Sequence, residues 1–162
     1  MGTKLRRMLD KHRDKLVASI VTELRSSDEE QFQHMDQAVL EERISHLVDE
    51  FLGAMESKEA TFTEFILRLT EERMAEGDYL SEIRTALNTL SEEACDLAMK
   101  HSGADKVDKH LLRIWRTINQ AKDELVHTYY LKKRQAESRL RALEGPRESS
   151  AGSRTPPDAK KK

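Results

Sequence analysis

Apolar residues recur every three or four positions through most of this chain, the spacing of a helix with one buried face. Leu5, Met8, Leu9, Leu16, Ile20 and Leu24 predict a first helix over about residues 3–25, with Ser26, Ser27 and Asp28 ending it or capping the next element. Residues 28–35 are polar apart from two anchors, Phe32 and Met35, and predict no definite element. A second helix is expected over about 36–56, capped by Asp36, with Leu40, Ile44, Leu47, Phe51 and Met55 as its face, widened by Val48 and Leu52. A third begins near Thr61, is lined by Phe62, Phe65, Ile66, Leu69 and Met74, and stops at Gly77. The fourth has the cleanest pattern: Leu80, Ile83, Leu87, Leu90, Ala94 and Leu97, with Asp78 as its cap and Gly103 after its end. Lys100 and His101 lie in its last turn, where positive charge suits the helix dipole.

The fifth helix is the long one. Asp105 can cap it, and no helix breaker comes before Gly145-Pro146. Its first seam is Val107, Leu111, Ile114, Ile118, Ala121 and Leu125. The spacing then slips by four to Tyr129, a stutter, and continues through Ala136, Leu140 and Leu143. All three prolines, Pro146, Pro156 and Pro157, fall after this helix. The expected fold is therefore all-α: a five-helix bundle with a long C-terminal helix and a disordered tail. The expected organisation is a helical domain over 1–130, a projecting linker or coiled-coil helix over 131–144, and a disordered basic tail over 145–162.

Composition narrows the class. A 37% apolar and 36% charged chain suits thin amphipathic helices with wide solvated faces. Cys95 is the only cysteine, so no disulfide forms within the chain, which fits a reducing compartment. The charged N-terminus has no long apolar run behind it and does not read as a signal peptide. No stretch approaches the roughly 18 apolar residues of a membrane span. Cytoplasmic location without membrane insertion is the expectation. The net charge of −2 conceals an asymmetry. Residues 16–130 carry 12 basic against 24 acidic side chains, and residues 131–162 carry 10 against 4. An acidic body argues against nucleic acid as its partner.

Candidate chemistry is sparse. Glu124 and His127 have the Glu-x-x-His spacing of di-iron bundles, but those sites need a second such motif and two further glutamates. Glu42 and His46 lie four apart on one helix face, a further position for a metal. Haem needs an axial ligand in a deep apolar pocket, and none of His46, His110 and His127 is singled out for it. His101-Ser-Gly-Ala-Asp-Lys and His110-Leu-Leu-Arg are loose echoes of a histidine phosphotransfer site. Cys95, beside the apolar face of its helix, reads as a small hydrophobe. Phe51, Phe62, Phe65, Trp115, Tyr129 and Tyr130 read as core or dimer packing. There is no Gly-x-Ser-x-Gly, Walker loop, Cys-x-x-Cys or His-Glu-x-x-His. No enzyme activity and no cofactor are expected. A homodimer is expected, paired in parallel along the last helix through Leu125, Tyr129, Ala136, Leu140 and Leu143.

The segment from Phe65 to Leu90 resembles the helix–Gly–helix core of the RsbRD amino-terminal domain family. The matching positions are Glu72, Arg73, Gly77, Leu80, Glu82, Ile83, Ala86 and Leu87. Leu9-Asp-Lys-His-Arg-Asp-Lys-Leu and the long last helix fit the same scheme, which covers about residues 3–130. The resemblance implies a non-haem, globin-like helical sensor of the kind found in stressosome co-antagonists and some sensor kinases. Members often carry a tryptophan in helix 1, and Ser19-Ile-Val-Thr has none. In those proteins a linker helix leads into an output domain; here the sequence ends soon after that helix. The implied function is a non-catalytic signalling module, a stand-alone sensor or adaptor with an unknown signalling protein as partner. A histidine phosphotransfer bundle and a haem- or metal-binding sensor are the alternatives.

Overall fold

Helix starts and stops are set by a few side chains. In the computed structural model, which describes residues 3–77 and 80–145, seven helices form among the described residues. They are α1 (Lys4–Lys11), α2 (Arg13–Arg25), α3 (Glu30–His34), α4 (Gln37–Glu56), α5 (Glu59–Glu76), α6 (Leu80–His101) and α7 (Val107–Glu144). The fold is all-α, with a long C-terminal helix. Asp36 caps α4 as expected, its Oδ1 accepting from Ala38 N at 2.9 Å and Val39 N at 3.3 Å. Gly77 closes α5 at φ 152° and Gly145 closes α7 at φ 70°, both in the region that favours glycine. The expected Asp78 cap and the tail beyond Gly145 lie outside the described residues.

Two differences from the five expected helices account for the count of seven. The first expected helix is broken at His12 (φ −109°, ψ 16°). The apolar stripe skips from Leu9 to Leu16, and polar residues at the break tie to other helices instead. Arg13 grips Asp49 of α4 through Nε–Oδ1 at 2.6 Å and Nη2–Oδ2 at 2.9 Å. The His12 ring stacks on His101 of α6, with centroids 4.1 Å apart. The second difference is α3, one short helical stretch in the polar segment. It is held by its buried anchor Phe32 and by Arg25, which donates to Phe32 O at 2.9 Å and Gln33 O at 3.0 Å.

Contacts divide the chain into two compact units, Met1–Tyr130 and Leu131–Lys162. In the first, α2 packs against both α4 and α6, α4 also packs against α5, and α1 touches α4 and α6. The core is built from the periodic positions: Leu9, Leu16, Ile20, Leu40, Phe51, Phe62, Ile66, Leu87, Leu90, Ile114 and Leu125 are all buried in one cluster. Burying a side chain of this size contributes about 1.5–3 kcal/mol relative to leaving it in water. The last turn of α4 leaves its Met55 carbonyl without a helical partner. Thr3 Oγ1 and Arg113 Nη2 each donate to it at 3.2 Å. In the second unit the described residues continue α7 to Glu144, and Leu140 and Leu143 are 60% and 84% exposed. Among the described residues no helix is long and apolar enough to cross a membrane.

Candidate functional site

A cavity of about 100 Å³ opens between α4, α5 and α6, with Phe32 of α3 at one side. Its walls are the core faces of these helices: Ile44 and Leu47, Phe65 and Leu69, Ile83 and Leu87. Three charged residues also line it: Arg43 from α4, Arg73 from α5 and Glu82 from α6. The 3.6-residue period puts them there. Arg43 precedes the buried Ile44, Arg73 lies one turn after Leu69, and Glu82 lies one turn before Ala86.

Glu82 is the unusual member. It is only 6% exposed, and its buried Oε1 has no hydrogen-bond partner among the described residues. Burial pushes its carboxyl above the ordinary carboxylate range, Glu29 adds to the effect, and Arg73 and Arg43 oppose it. The neighbouring Glu29 is served quite differently: Ser81 Oγ and Thr85 Oγ1 donate to it at 3.2 and 3.3 Å. Arg73 donates to Glu76 at 3.2 Å. Arg43 makes no hydrogen bond or ion pair among the described residues, and burial together with Arg73 pulls its guanidinium below the usual arginine range. Glu82 thus lines a mainly apolar cavity while keeping one buried carboxylate oxygen without a partner among the described residues, and Arg43 is exposed at the cavity's edge. Leaving a buried oxygen of this kind without a partner costs about 1–3 kcal/mol.

The residues singled out from sequence fall elsewhere, His46 apart. Glu124 and His127 are not brought together with any third ligand on α7. His46 is exposed and lines the cavity, with its Nε2 3.4 Å from Glu50 Oε1 and its ring edge-on to Phe65. Glu42 is exposed on the same helix. Among the described residues no three His, Cys, Asp or Glu side chains converge as metal ligands. His101 ends α6 in the stack with His12, and His110 Nδ1 is 2.7 Å from Ser102 Oγ. Cys95 is half-buried against the core, and burial raises its thiol, partly offset by a hydrogen bond with Ser91. Phe51, Phe62 and Phe65 are core residues, whereas Trp115 and Tyr130 are each 57% exposed.

The five expected dimer residues divide. Leu125 is fully buried and Tyr129 is 8% exposed within a single chain, so their apolar surface is already covered. Ala136, Leu140 and Leu143 are exposed. Sequence reasoning placed Glu82 and Arg73 only as matching positions of a family pattern, and it passed over Arg43. An acidic residue in a first helical turn complements the dipole, so Glu82 reads as an ordinary surface glutamate until α4 and α5 are packed over it. Compared with protein-family models, curated proteins and solved structures, the chain finds no match.

Proposed function

We propose that this chain is a non-catalytic bacterial signalling module: a sensor or adaptor domain of the RsbRD type, non-haem and globin-like, that acts through protein–protein contacts as a homodimer. One observation supports the dimer within this reading. Leu140 and Leu143 are 60% and 84% exposed on α7, among Lys132, Lys133, Arg134, Arg139 and Arg141. Each leucine brought to full burial contributes up to about 1.5–3 kcal/mol, and a parallel pair of α7 helices buries both. Repulsion between the basic side chains opposes this. They splay outward into water, where a Debye length of roughly 8 Å weakens their repulsion, and Glu137 and Glu144 offset part of the charge. Apolar burial wins by a modest margin.

Sedimentation equilibrium of the full chain at micromolar concentration tests the reading. The expected mass is that of two 18.7 kDa chains. The double variant Leu140→Asp with Leu143→Asp should sediment as a monomer while its helical content is unchanged, since neither residue belongs to the buried core. A monomeric parent, or a dimer indifferent to both substitutions, removes α7 as the contact surface.

A further inference from the structure

We infer that the basic end of α7, residues 131–144, docks on an anionic lipid surface, with Leu140 and Leu143 set among the headgroups and the basic side chains beside them on the lipid phosphates. This goes beyond the signalling reading and does not rest on it; it rests on the exposure of the leucines and the charge around them.

Three observations point to lipid. The first is apolar. Leu140 and Leu143 are exposed and neither belongs to the buried core. At 100° per residue they share one side of α7 with Ala136, which is also exposed. The second is charge. Residues 131–144 hold five basic side chains, Lys132, Lys133, Arg134, Arg139 and Arg141, against two acidic ones, Glu137 and Glu144. The same spacing sets Arg139 on one flank of the leucine side and Lys133 on the other. A long basic side chain there lays its alkyl stem along apolar surface and keeps its charge at headgroup level. The third is the absence of any aromatic residue from 131–162. Single-stranded nucleic acid is held by bases stacked on aromatic rings, and this arm has none. A duplex backbone takes the positive charges and leaves both leucines in water, whereas a lipid surface takes the charges and the leucines together.

Charge also ranks lipid against a second copy of the helix. A second α7 buries the leucines against repulsion between like basic side chains; an anionic surface buries them with attraction. Each Lys or Arg close to such a surface strengthens binding about fivefold, with Glu137 and Glu144 offsetting part of the gain. Anionic lipid therefore competes with pairing for the same leucines. The rest of the chain stays out of the contact. Residues 16–130 carry 12 basic against 24 acidic side chains, so the same surface repels them. Among the described residues no helix is long and apolar enough to cross a bilayer, so the arm lies on the surface and does not span it.

The test is co-sedimentation of the full chain with lipid vesicles. Vesicles of equal parts phosphatidylglycerol and phosphatidylcholine should pellet the chain at about 0.1 M salt, where the Debye length is roughly 10 Å. Pure phosphatidylcholine should not. At about 1 M salt, where that length falls to roughly 3 Å, binding should drop at least about tenfold. Lys133→Gln with Arg139→Gln should weaken binding about 25-fold. Leu140→Ser with Leu143→Ser, which leaves the charge unchanged, should weaken it at least about tenfold. An excess of duplex DNA should leave the pelleted fraction unchanged. Equal pelleting by pure phosphatidylcholine, binding indifferent to either pair of substitutions, or release of the chain from vesicles by DNA would each overturn the assignment. All four substituted residues are exposed and outside the core, so both variants should keep the parent's helical content. A monomeric chain that pellets with anionic vesicles leaves this inference standing and removes the dimer; a dimer that ignores them does the reverse.

Discussion

At the scale of the residue, Glu82 is where burial works against stability. Its carboxyl is buried, one oxygen is unsatisfied, and its proton affinity is raised chiefly by that burial. A carboxyl whose folded pKa lies above its unfolded value of 4.5 favours folding below that value, and the advantage is lost as pH rises through the folded pKa. At pH 7, above that unfolded value, the carboxyl is therefore a net cost to folding. Glu82→Gln should raise the urea midpoint at pH 7, by an amount equivalent to about 1–3 kcal/mol, and the gain should shrink toward nothing below pH 4.5. Such a gain would show that the fold does not need the Glu82 carboxylate for its stability. A loss of stability at pH 7 would instead make Glu82 a structural group.

At the scale of the element, α4 shows how little is needed to fix a boundary. Asp36 supplies one oxygen to two N–H groups at the start of the helix that forms a whole wall of the cavity. Asp36→Ala should lower stability by about 1 kcal/mol, within the roughly 0.5–2 kcal/mol span of such caps, and Asp36→Asn should retain most of it. Chemical denaturation at pH 7 measures both. The Asp36 cap was legible in the sequence, as were the apolar stripe of α6 and the stop at Gly145, because each depends on residues within a turn of one another. The break at His12 was not. Nothing local demands it; the Arg13–Asp49 pairing and the His12–His101 stack join positions far apart in sequence.

At the scale of the whole molecule, two histidines link separate helices and give the fold a pH dependence. His12 at the α1–α2 break stacks on His101 of α6, and His110 of α7 meets Ser102 at 2.7 Å. Burial, then neighbouring positive charge from His101, Lys11 and Lys15, pulls His12 below 6.5. Burial, then Lys106 and Lys109, does the same to His110, with Asp105 opposing. For both, the folded state prefers the neutral ring. The stability they contribute is fully present above pH 6.5 and is lost as pH falls through their lowered folded values. Thermal melting temperature should therefore fall between about pH 7.5 and 5.5. The double variant His12→Gln with His110→Gln should flatten that slope. An identical slope in parent and variant would assign the acid response to other groups.

What the sequence determined by itself was local: an all-α chain, the face each long helix buries, the cap of α4, the glycine stops, and a last helix running to Glu144. Each of these depends on backbone sterics and on apolar spacing within a few turns, so the order of residues is sufficient. Tertiary structure decided the rest. Leu125 and Leu140 carry the same apolar pattern on one helix, yet one is fully buried and the other 60% exposed. Glu82, Arg43 and Arg73 look like ordinary charged helix positions, and they line one cavity because α4, α5 and α6 close around a common space. Burial, and with it proton affinity, is a property of what the other helices cover.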